Sequence, residues 1–219
     1  MKSFISLERT PYIKRPFFKI AIMLFTLTWV WLYMTAIDKT DWWIENILVF
    51  GFFFLIFFAQ RKYVFSNTSL VFLFLFLALH IYGAQGAYTQ NQFGEWLQAE
   101  LQLSRNPYDR IVHFSFGFLL AYPLIEYLTS LRMYDKHLIF NVNMAILSLA
   151  TVFELLEWGV ASVTDAATGQ TYVATQGDPW DAQKDIFLAL IGSMLFSIFY
   201  NMFFSAKSIL LKSAQVEVP

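Results

Sequence analysis

The segment that decides the fold is FFKIAIMLFTLTWVWLYMTAI, which runs from Phe17 to Ile37. Its 21 residues include one charged side chain, Lys19, close enough to the end to extend its amine to the membrane surface. A helix needs about 20 mostly apolar residues to cross the hydrocarbon core of a bilayer. Basic residues precede the segment, as in a signal peptide, but it is longer than a signal h-region and no small-residue cleavage site follows. We therefore expect a retained first membrane span.

Five more apolar segments follow the first one. They are Trp43–Ala59, Leu70–Ala87, Ile111–Leu128, Leu138–Val163 and Ile186–Phe204. The first of these five is short and carries Glu45 and Asn46 near its start, so it is the weakest candidate for a full span. The pattern predicts an all-α polytopic membrane protein with one six-helix transmembrane domain over residues 17–205. Residues 1–16 and 206–219 are expected to form an N-terminal segment and a C-terminal tail.

The composition supports a membrane protein and excludes several functions. Hydrophobic residues make up 58% of the chain and charged residues only 14%, against about 25% charged in a soluble domain. The net charge of −1 offers no basic surface for a nucleic acid. Without cysteine there are no disulfides, thiolate zinc sites or cysteine nucleophiles. The motifs GxSxG, HExxH and the P-loop are also missing.

The distribution of lysine and arginine between the loops predicts the orientation. Ten lie on the side of the N-terminus: Lys2, Arg9, Lys14, Arg15, Arg61, Lys62, Arg132, Lys136, Lys207 and Lys212. Four lie on the opposite side: Lys39, Arg105, Arg110 and Lys184. Because cytoplasmic loops carry the excess of positive charge, we expect both termini in the cytoplasm.

Three polar segments meet at the opposite, outer end in this topology. They are YDRIVHF at the mouth of the fourth span, FELLEW near the end of the fifth, and GDPWDAQKD before the sixth. Their polar residues are expected at similar depth, although they come from distant parts of the chain. The candidate site residues are Asp109, Arg110, His113, Glu154, Glu157, Asp178, Asp181, Lys184 and Asp185.

The spacing of these residues favours a shared site. Asp109 and His113 are four residues apart, so they share a helix face, and Asp109 can orient the imidazole. Glu154 and Glu157 are three apart and also share a face. A charge at membrane depth costs about 2.5 to 3.5 kcal/mol on insertion scales and usually faces a bundle interior or a watery cavity.

The predicted site contains many acids and few bases, and three arrangements can accommodate them. Some acids can be protonated, some can pair with Arg110 and Lys184, or a divalent metal can lie among them. One histidine with several carboxylates suits Zn, Mg, Mn or Fe. In the metal interpretation the ligands of the ion are His113, Glu154, Asp181 and Asp185. Glu157 acts as acid and base, and Arg110 or Lys184 contacts an anionic head group. The supporting residues are Asp109 and Asp178. Asp178 or Asp181 can equally be an acid favoured by a helix dipole.

Other polar and small residues have simpler interpretations. His80 is predicted to make a hydrogen bond that packs helices together, and Glu126 to extend to the cytoplasmic interface. Gly117, Gly159 and Gly192 are predicted to permit close approach of neighbouring helices.

The segments YDRIVHFSFGF, FELLEW and TQGDPWDAQKDIFLALIG, in this order, resemble the YjdF-like family of uncharacterised bacterial inner-membrane proteins. A looser resemblance is to VanZ-like membrane proteins, which pair an early D-x-x-x-H-F with a later glutamate and an aspartate-rich entry to the last helix. The resemblance implies a multi-pass protein of the bacterial inner membrane. VanZ-like proteins are associated with resistance to glycopeptide or lipopeptide antibiotics at the cell envelope.

Three functions remain open from the sequence. The first is a metal-dependent hydrolase or transferase acting on a lipid or lipid-linked envelope substrate in the bilayer. The second is a small proton-coupled transporter, although the acids gather at one face and only Glu126 lies towards the other. The third is a structural or assembly protein, in which the polar network fixes the register of the helices.

Overall fold

The computed structural model describes residues 10–131, 133, 137–164, 169 and 173–202. Over these residues it contains a 3₁₀ turn, Tyr12–Lys14, and seven α-helices. The helices are α1 (Pro16–Thr35), α2 (Lys39–Ala59), α3 (Asn67–Gln85), α4 (Gln92–Glu100), α5 (Tyr108–Ser130), α6 (Leu138–Val163) and α7 (Asp181–Tyr200).

Six of these helices, all except α4, are long and apolar enough to cross a bilayer. The predicted all-α, six-span fold is therefore confirmed. Residues 1–9 and 203–219, including the predicted C-terminal tail, lie outside the described residues. The orientation of the bundle stays a prediction, as does its division into one domain and two termini.

Two features of the helices differ from the sequence prediction. Helix α2 begins at Lys39, four residues before the predicted start, because the Asp38 carboxylate accepts hydrogen bonds from the N–H groups of Thr40 and Asp41. With 21 residues α2 is long enough for a full span, and it carries Asp41 and Glu45 in its first turns. The short helix α4 was not predicted, and its start is capped by the Asn91 side chain.

Helix α5 lies at the centre of the bundle and packs most extensively against α7, then against α3 and α6. Two glycines permit the α5–α7 contact. A Cβ on Gly117 would lie 1.7 Å from the Ala189 carbonyl oxygen, and one on Gly192 would lie 2.2 Å from that of Phe114. The predicted close approach is thus confirmed at these two positions. It is wrong for Gly159, where a Cβ would meet nothing within 4 Å.

Glu126 does not extend to the interface as predicted. Its side chain is buried and accepts hydrogen bonds from the Tyr63 hydroxyl at 2.7 Å and from the Ser66 N–H at 2.8 Å. The Ser66 and Ser69 hydroxyls donate to its other oxygen. Burial raises the pKa of Tyr63, and its hydrogen bond to Glu126 raises this pKa further. The carboxylate therefore ties the start of α3 to α5 at the end where both termini are expected.

Substitution at the two contact glycines tests the α5–α7 packing. We expect Gly117→Ala to lower the free energy of unfolding by about 1 to 3 kcal/mol, because the new methyl group collides with backbone rather than with a flexible side chain. Thermal unfolding of the purified protein in detergent measures the effect. Gly159→Ala is the matched control and should melt at or above the wild-type temperature. A Gly117→Ala protein as stable as wild type would contradict this packing.

Candidate functional site

The start of α2, α5 and α7 and the end of α1, α3 and α6 share one end of the bundle, here called the polar end. A backbone hydrogen bond of 3.0 Å from the Ile37 N–H to the Gln85 carbonyl joins the ends of α1 and α3 there. Each of the sequence-predicted site residues lies on an element of this end. The three segments singled out in the sequence do meet, and they form two layers.

The inner layer is built on α5 and α7. Asp109, His113 and Asp185 are buried, and each offers one ligand atom within 4.8 Å of those of the other two. The His113 Nε2 atom is 3.4 Å from Asp109 Oδ1 and 3.5 Å from Oε1 of Glu154 on α6. The His113 imidazole therefore lies near carboxylates on α6 and α7 as well as one on its own helix, α5. We call Asp109, His113, Glu154 and Asp185 the inner cluster.

Two oxygens of the inner cluster have no hydrogen-bond partner although they are buried. They are Glu154 Oε1 and Asp185 Oδ1. Leaving a buried acceptor unsatisfied costs about 1 to 3 kcal/mol, and more for a charged group. The arrangement is therefore suited to a proton or a metal cation between the acids.

Glu157 lies beside the inner cluster rather than within its group of ligand atoms. It is half-buried, and its side chain makes a hydrogen bond with that of Glu154, three residues earlier on α6. Glu157 is therefore joined to the inner cluster through Glu154.

The outer layer contains the ion pairs. Asp181 Oδ1 binds Nη1 of Arg105 and lies 3.4 Å from Nη2 of Arg110. The Arg105 guanidinium also donates to the carbonyls of Thr175 at 3.1 Å and Ala174 at 3.2 Å. Asp181, a metal ligand in the sequence interpretation, is thus engaged by two arginines. Asp109, there a supporting residue, belongs instead to the group of ligand atoms.

Asp178 lies in the turn before α7, where three cations approach one of its oxygens. Its Oδ2 is 2.5 Å from Arg110 Nη2, 2.5 Å from Lys184 Nζ and 4.0 Å from Arg105 Nη1. The hydrogen bond from Lys184, followed by one from the Trp180 N–H, lowers the pKa of Asp178 to about 2. Arg110 and Lys184 therefore both form ion pairs with Asp178.

Sequence reasoning missed three residues of the polar end. Arg105 was counted only as a loop charge, although its spacing of four from Asp109 was a usable signal. Asp41 and Glu45, also four apart, are both buried, and neither Asp41 oxygen has a hydrogen-bond partner. Glu45 interacts electrostatically with Asp41 and Asp109. Placing the start of α2 at Trp43 concealed this pair.

His80 makes the packing contacts predicted for it. Its Nε2 lies 3.1 Å from the Glu45 carbonyl oxygen and its Nδ1 lies 2.6 Å from the Tyr88 hydroxyl. This pattern fits a neutral ring that donates to Glu45 and accepts from Tyr88. Burial raises the pKa of Tyr88, and Glu45 adds to the effect. Ala87 and Tyr88 both adopt positive φ, which is a costly backbone conformation at the edge of the site.

The fold and the site define a polytopic helical membrane protein with a buried, carboxylate-rich polar site at one end of its bundle. Residues 17–206 match the family model described as "Predicted membrane protein (DUF2238)", and the chain belongs to this family. It is 34% identical over 186 residues to the inner membrane protein YjdF of Escherichia coli (strain K12), across 81% of this chain and 87% of that protein. The resemblance and the inner-membrane localisation predicted from the sequence agree with this match. No solved structure matches the chain.

The pairing of Asp178 predicts a pH-dependent contribution to stability. Because its pKa is about 2 in the folded protein and about 3.9 in a model peptide, the contribution is fully present above pH 4 or so and disappears as pH falls towards about 2. Thermal unfolding should therefore show wild type melting above Asp178→Asn at neutral pH, with the gap closing at low pH. Glu100→Gln, which removes an exposed acid of α4, is the control. A gap that is unchanged at pH 2 would contradict the ion pairs described here.

Proposed function

We propose that this protein binds a divalent metal ion in the inner cluster and uses it in a hydrolytic or group-transfer reaction on a lipid or lipid-linked substrate. The observation that carries the proposal is the group of ligand atoms of Asp109, His113 and Asp185, within 4.8 Å of one another. The unpartnered oxygens of Asp185 and Glu154 supply the ligand positions that a bound cation would satisfy.

The donor set fits a divalent ion better than an ion-pair network. Arginines and a lysine account for the charges of Asp178 and Asp181 in the outer layer. In the inner cluster the acids face an imidazole, and only Asp109 lies within 4 Å of an arginine. Oxygen ligands with one imidazole nitrogen suit Zn, Mg, Mn or Fe. A cation there would offset the repulsion among three buried carboxylates.

The same arrangement suits hydrolysis. A divalent ion held by these ligands would polarise the substrate and make a water molecule more acidic, and so a better nucleophile. Glu157, beside the cluster, would accept the proton of this water. The water oxygen would form the new bond at the acyl or phosphoryl centre, the bond to the leaving oxygen would break, and Glu157 would return the proton to that oxygen. In a transfer reaction an acceptor hydroxyl takes the place of water.

The bilayer is the source from which such a substrate would arrive. The six spans expose large apolar side chains to lipid, including Trp31, Leu55 and Leu156. The excess of positive charge in the loops on the side of the N-terminus favours an orientation in which the polar end faces out of the cytoplasm. The name of the Escherichia coli relative favours the bacterial inner membrane. A substrate would then be a lipid or lipid-linked precursor of the envelope.

A proton-coupled transporter has less support. Such a protein needs titratable groups along a path between the two sides of the membrane. Among the described residues Glu126 is the buried acid towards the opposite end, and four hydrogen bonds already hold its carboxylate. The buried acids of the polar end therefore have no continuation across the bundle through Glu126.

The proposal predicts the metal content of the protein. Elemental analysis of wild type purified without chelators should find about one equivalent of a divalent metal per chain, because the inner cluster provides one ligand group. Asp185→Asn and His113→Ala should lose most of it. Added metal should raise the unfolding temperature of wild type. At a metal concentration a hundred times the Kd, the free energy of unfolding should rise by about 2.7 kcal/mol. Glu100→Gln should behave as wild type.

Glu157→Gln separates binding from chemistry. This variant should keep the metal and lose turnover of a lipid or lipid-linked ester, because the proton acceptor is removed without removing a ligand. A wild-type protein that contains no metal, and whose unfolding temperature is unchanged by Zn, Mg, Mn and Fe, would rule out the metal function. The outer-layer ion pairs would then support a structural role.

A further inference from the structure

Two buried donors adjoin the inner cluster without an acceptor. They are the Nε–H groups of Arg105 and Arg110. The terminal nitrogens of both side chains are engaged, since those of Arg105 bind Asp181 and two carbonyls, while Nη2 of Arg110 binds Asp178. A cationic N–H group buried without an acceptor is costly, and a hydrogen bond from it to an oxyanion would be charge-assisted.

The two arginines lie immediately outside the metal ligands. Arg105 precedes Asp109 by four residues, with its Nη2 3.7 Å from Asp109 Oδ2. Arg110 follows Asp109 directly in the chain and lies near Asp181, which is one helical turn before the ligand Asp185. Arg105, which carries one of the unpartnered donors, therefore lies next to the inner cluster, and Arg110 shares Asp181 with it. A single ligand that carries negative oxygens next to a metal ion would satisfy both the unpartnered donors and the unpartnered acceptors.

The position of Asp178 shows where an oxyanion is stabilised. Its Oδ2 is approached by Arg105, Arg110 and Lys184. The first turns of α5 and α7 also begin here, and helix N-termini favour anions. The Asp178 carboxylate thus occupies a place where three cations converge in an otherwise acidic end of the bundle.

We propose that the group recognised at this site is a phosphate ester, whose oxygens accept hydrogen bonds from Arg105 and Arg110 while another of its oxygens faces the metal. The inference rests on the proposed metal function and specifies its substrate class. Planar guanidinium groups match the oxygens of a phosphate, whereas a neutral carboxylic ester or a sugar hydroxyl calls for no pair of cationic donors. Asp178 competes with the phosphate for the same cations.

The experiment uses the full-length protein in nanodiscs of phosphatidylcholine, saturated with Mn²⁺. Inorganic phosphate is titrated in one arm, and phosphatidic acid is incorporated into the nanodisc in the other. Arg110→Lys keeps the charge but loses the planar donor group, so we expect phosphate affinity to fall about tenfold or more, as expected for loss of a charged hydrogen bond. Asp178→Asn should raise the affinity about threefold or more, because it removes a competing anion. Elemental analysis should find the metal content of both variants unchanged.

The controls separate specific binding from bulk attraction. Lys39→Gln removes a cation from the start of α2, outside the site, and should bind phosphate as wild type does. Arg105→Lys tests the second donor, but Arg105 also holds the carbonyls of Ala174 and Thr175, so its thermal unfolding must be checked first. The side chain of Arg110 is 29% exposed, so this residue carries the test if Arg105→Lys fails to fold.

Each outcome decides the inference. Binding of inorganic phosphate that depends on Arg110 supports recognition of the phosphate alone, while binding of phosphatidic acid only supports a lipid phosphate. Metal-loaded Arg110→Lys with wild-type affinity for both probes, or weaker binding by Asp178→Asn, would overturn the phosphate assignment and leave the metal function standing. Arginine-dependent binding by a protein that holds no metal would support the phosphate site and remove the metal function.

Discussion

The close contact between α5 and α7 is the constraint on which the polar site depends. Gly117 and Gly192 let the two backbones approach until each glycine lies against a carbonyl of the other helix. Asp109 and His113 lie one to two turns from Gly117 towards the polar end, and Asp185 is placed similarly relative to Gly192. Membrane helices associate through such small-residue contacts because lipid supplies no hydrophobic force between them. Packing in the middle of the two helices thereby fixes the spacing of the charges at the polar end.

The two layers of the site solve the problem of buried charge differently. In the outer layer Asp178 and Asp181 are paired with arginine and lysine, as the cost of desolvation requires. In the inner cluster the acids are gathered around His113 and keep oxygens without partners. The outer layer holds the turn before α7 in place through Arg105, and it positions Asp185 one turn deeper.

Hydropathy and spacing were enough to predict the six spans and the end at which the polar residues meet. The length of apolar runs is a strong signal because the bilayer imposes it. Hydropathy and spacing were not enough to predict which acids form ion pairs, because the pairing depends on the path of the chain between helices. The carbonyls of Ala174 and Thr175 hold Arg105 against Asp181, and no spacing rule connects residues seventy positions apart.

The start of α2 shows a second limit of sequence reasoning. The predicted span begins at Trp43, which leaves Asp41 outside the helix. Capping by Asp38 extends α2 to include it, and this local hydrogen-bonding effect outweighs hydropathy. Glu126 was misjudged for a related reason, since a lone acid near a helix end resembles an interfacial residue. Its serine and tyrosine partners come from the loop before α3 and from the first turn of that helix, which are distant in sequence.

The two ends of the bundle differ in how completely their buried polar groups are satisfied. At the end where both termini are expected, the buried carboxylate of Glu126 has every oxygen satisfied by a donor. Among the described residues, all seven buried side-chain atoms without a hydrogen-bond partner belong to the polar end. A chain that satisfies a buried acid completely at one end has the means to do so at the other. Buried groups left unsatisfied at the polar end, donors as well as acceptors, therefore call for an explanation other than helix packing, and the proposed ligand provides one for those of the two layers.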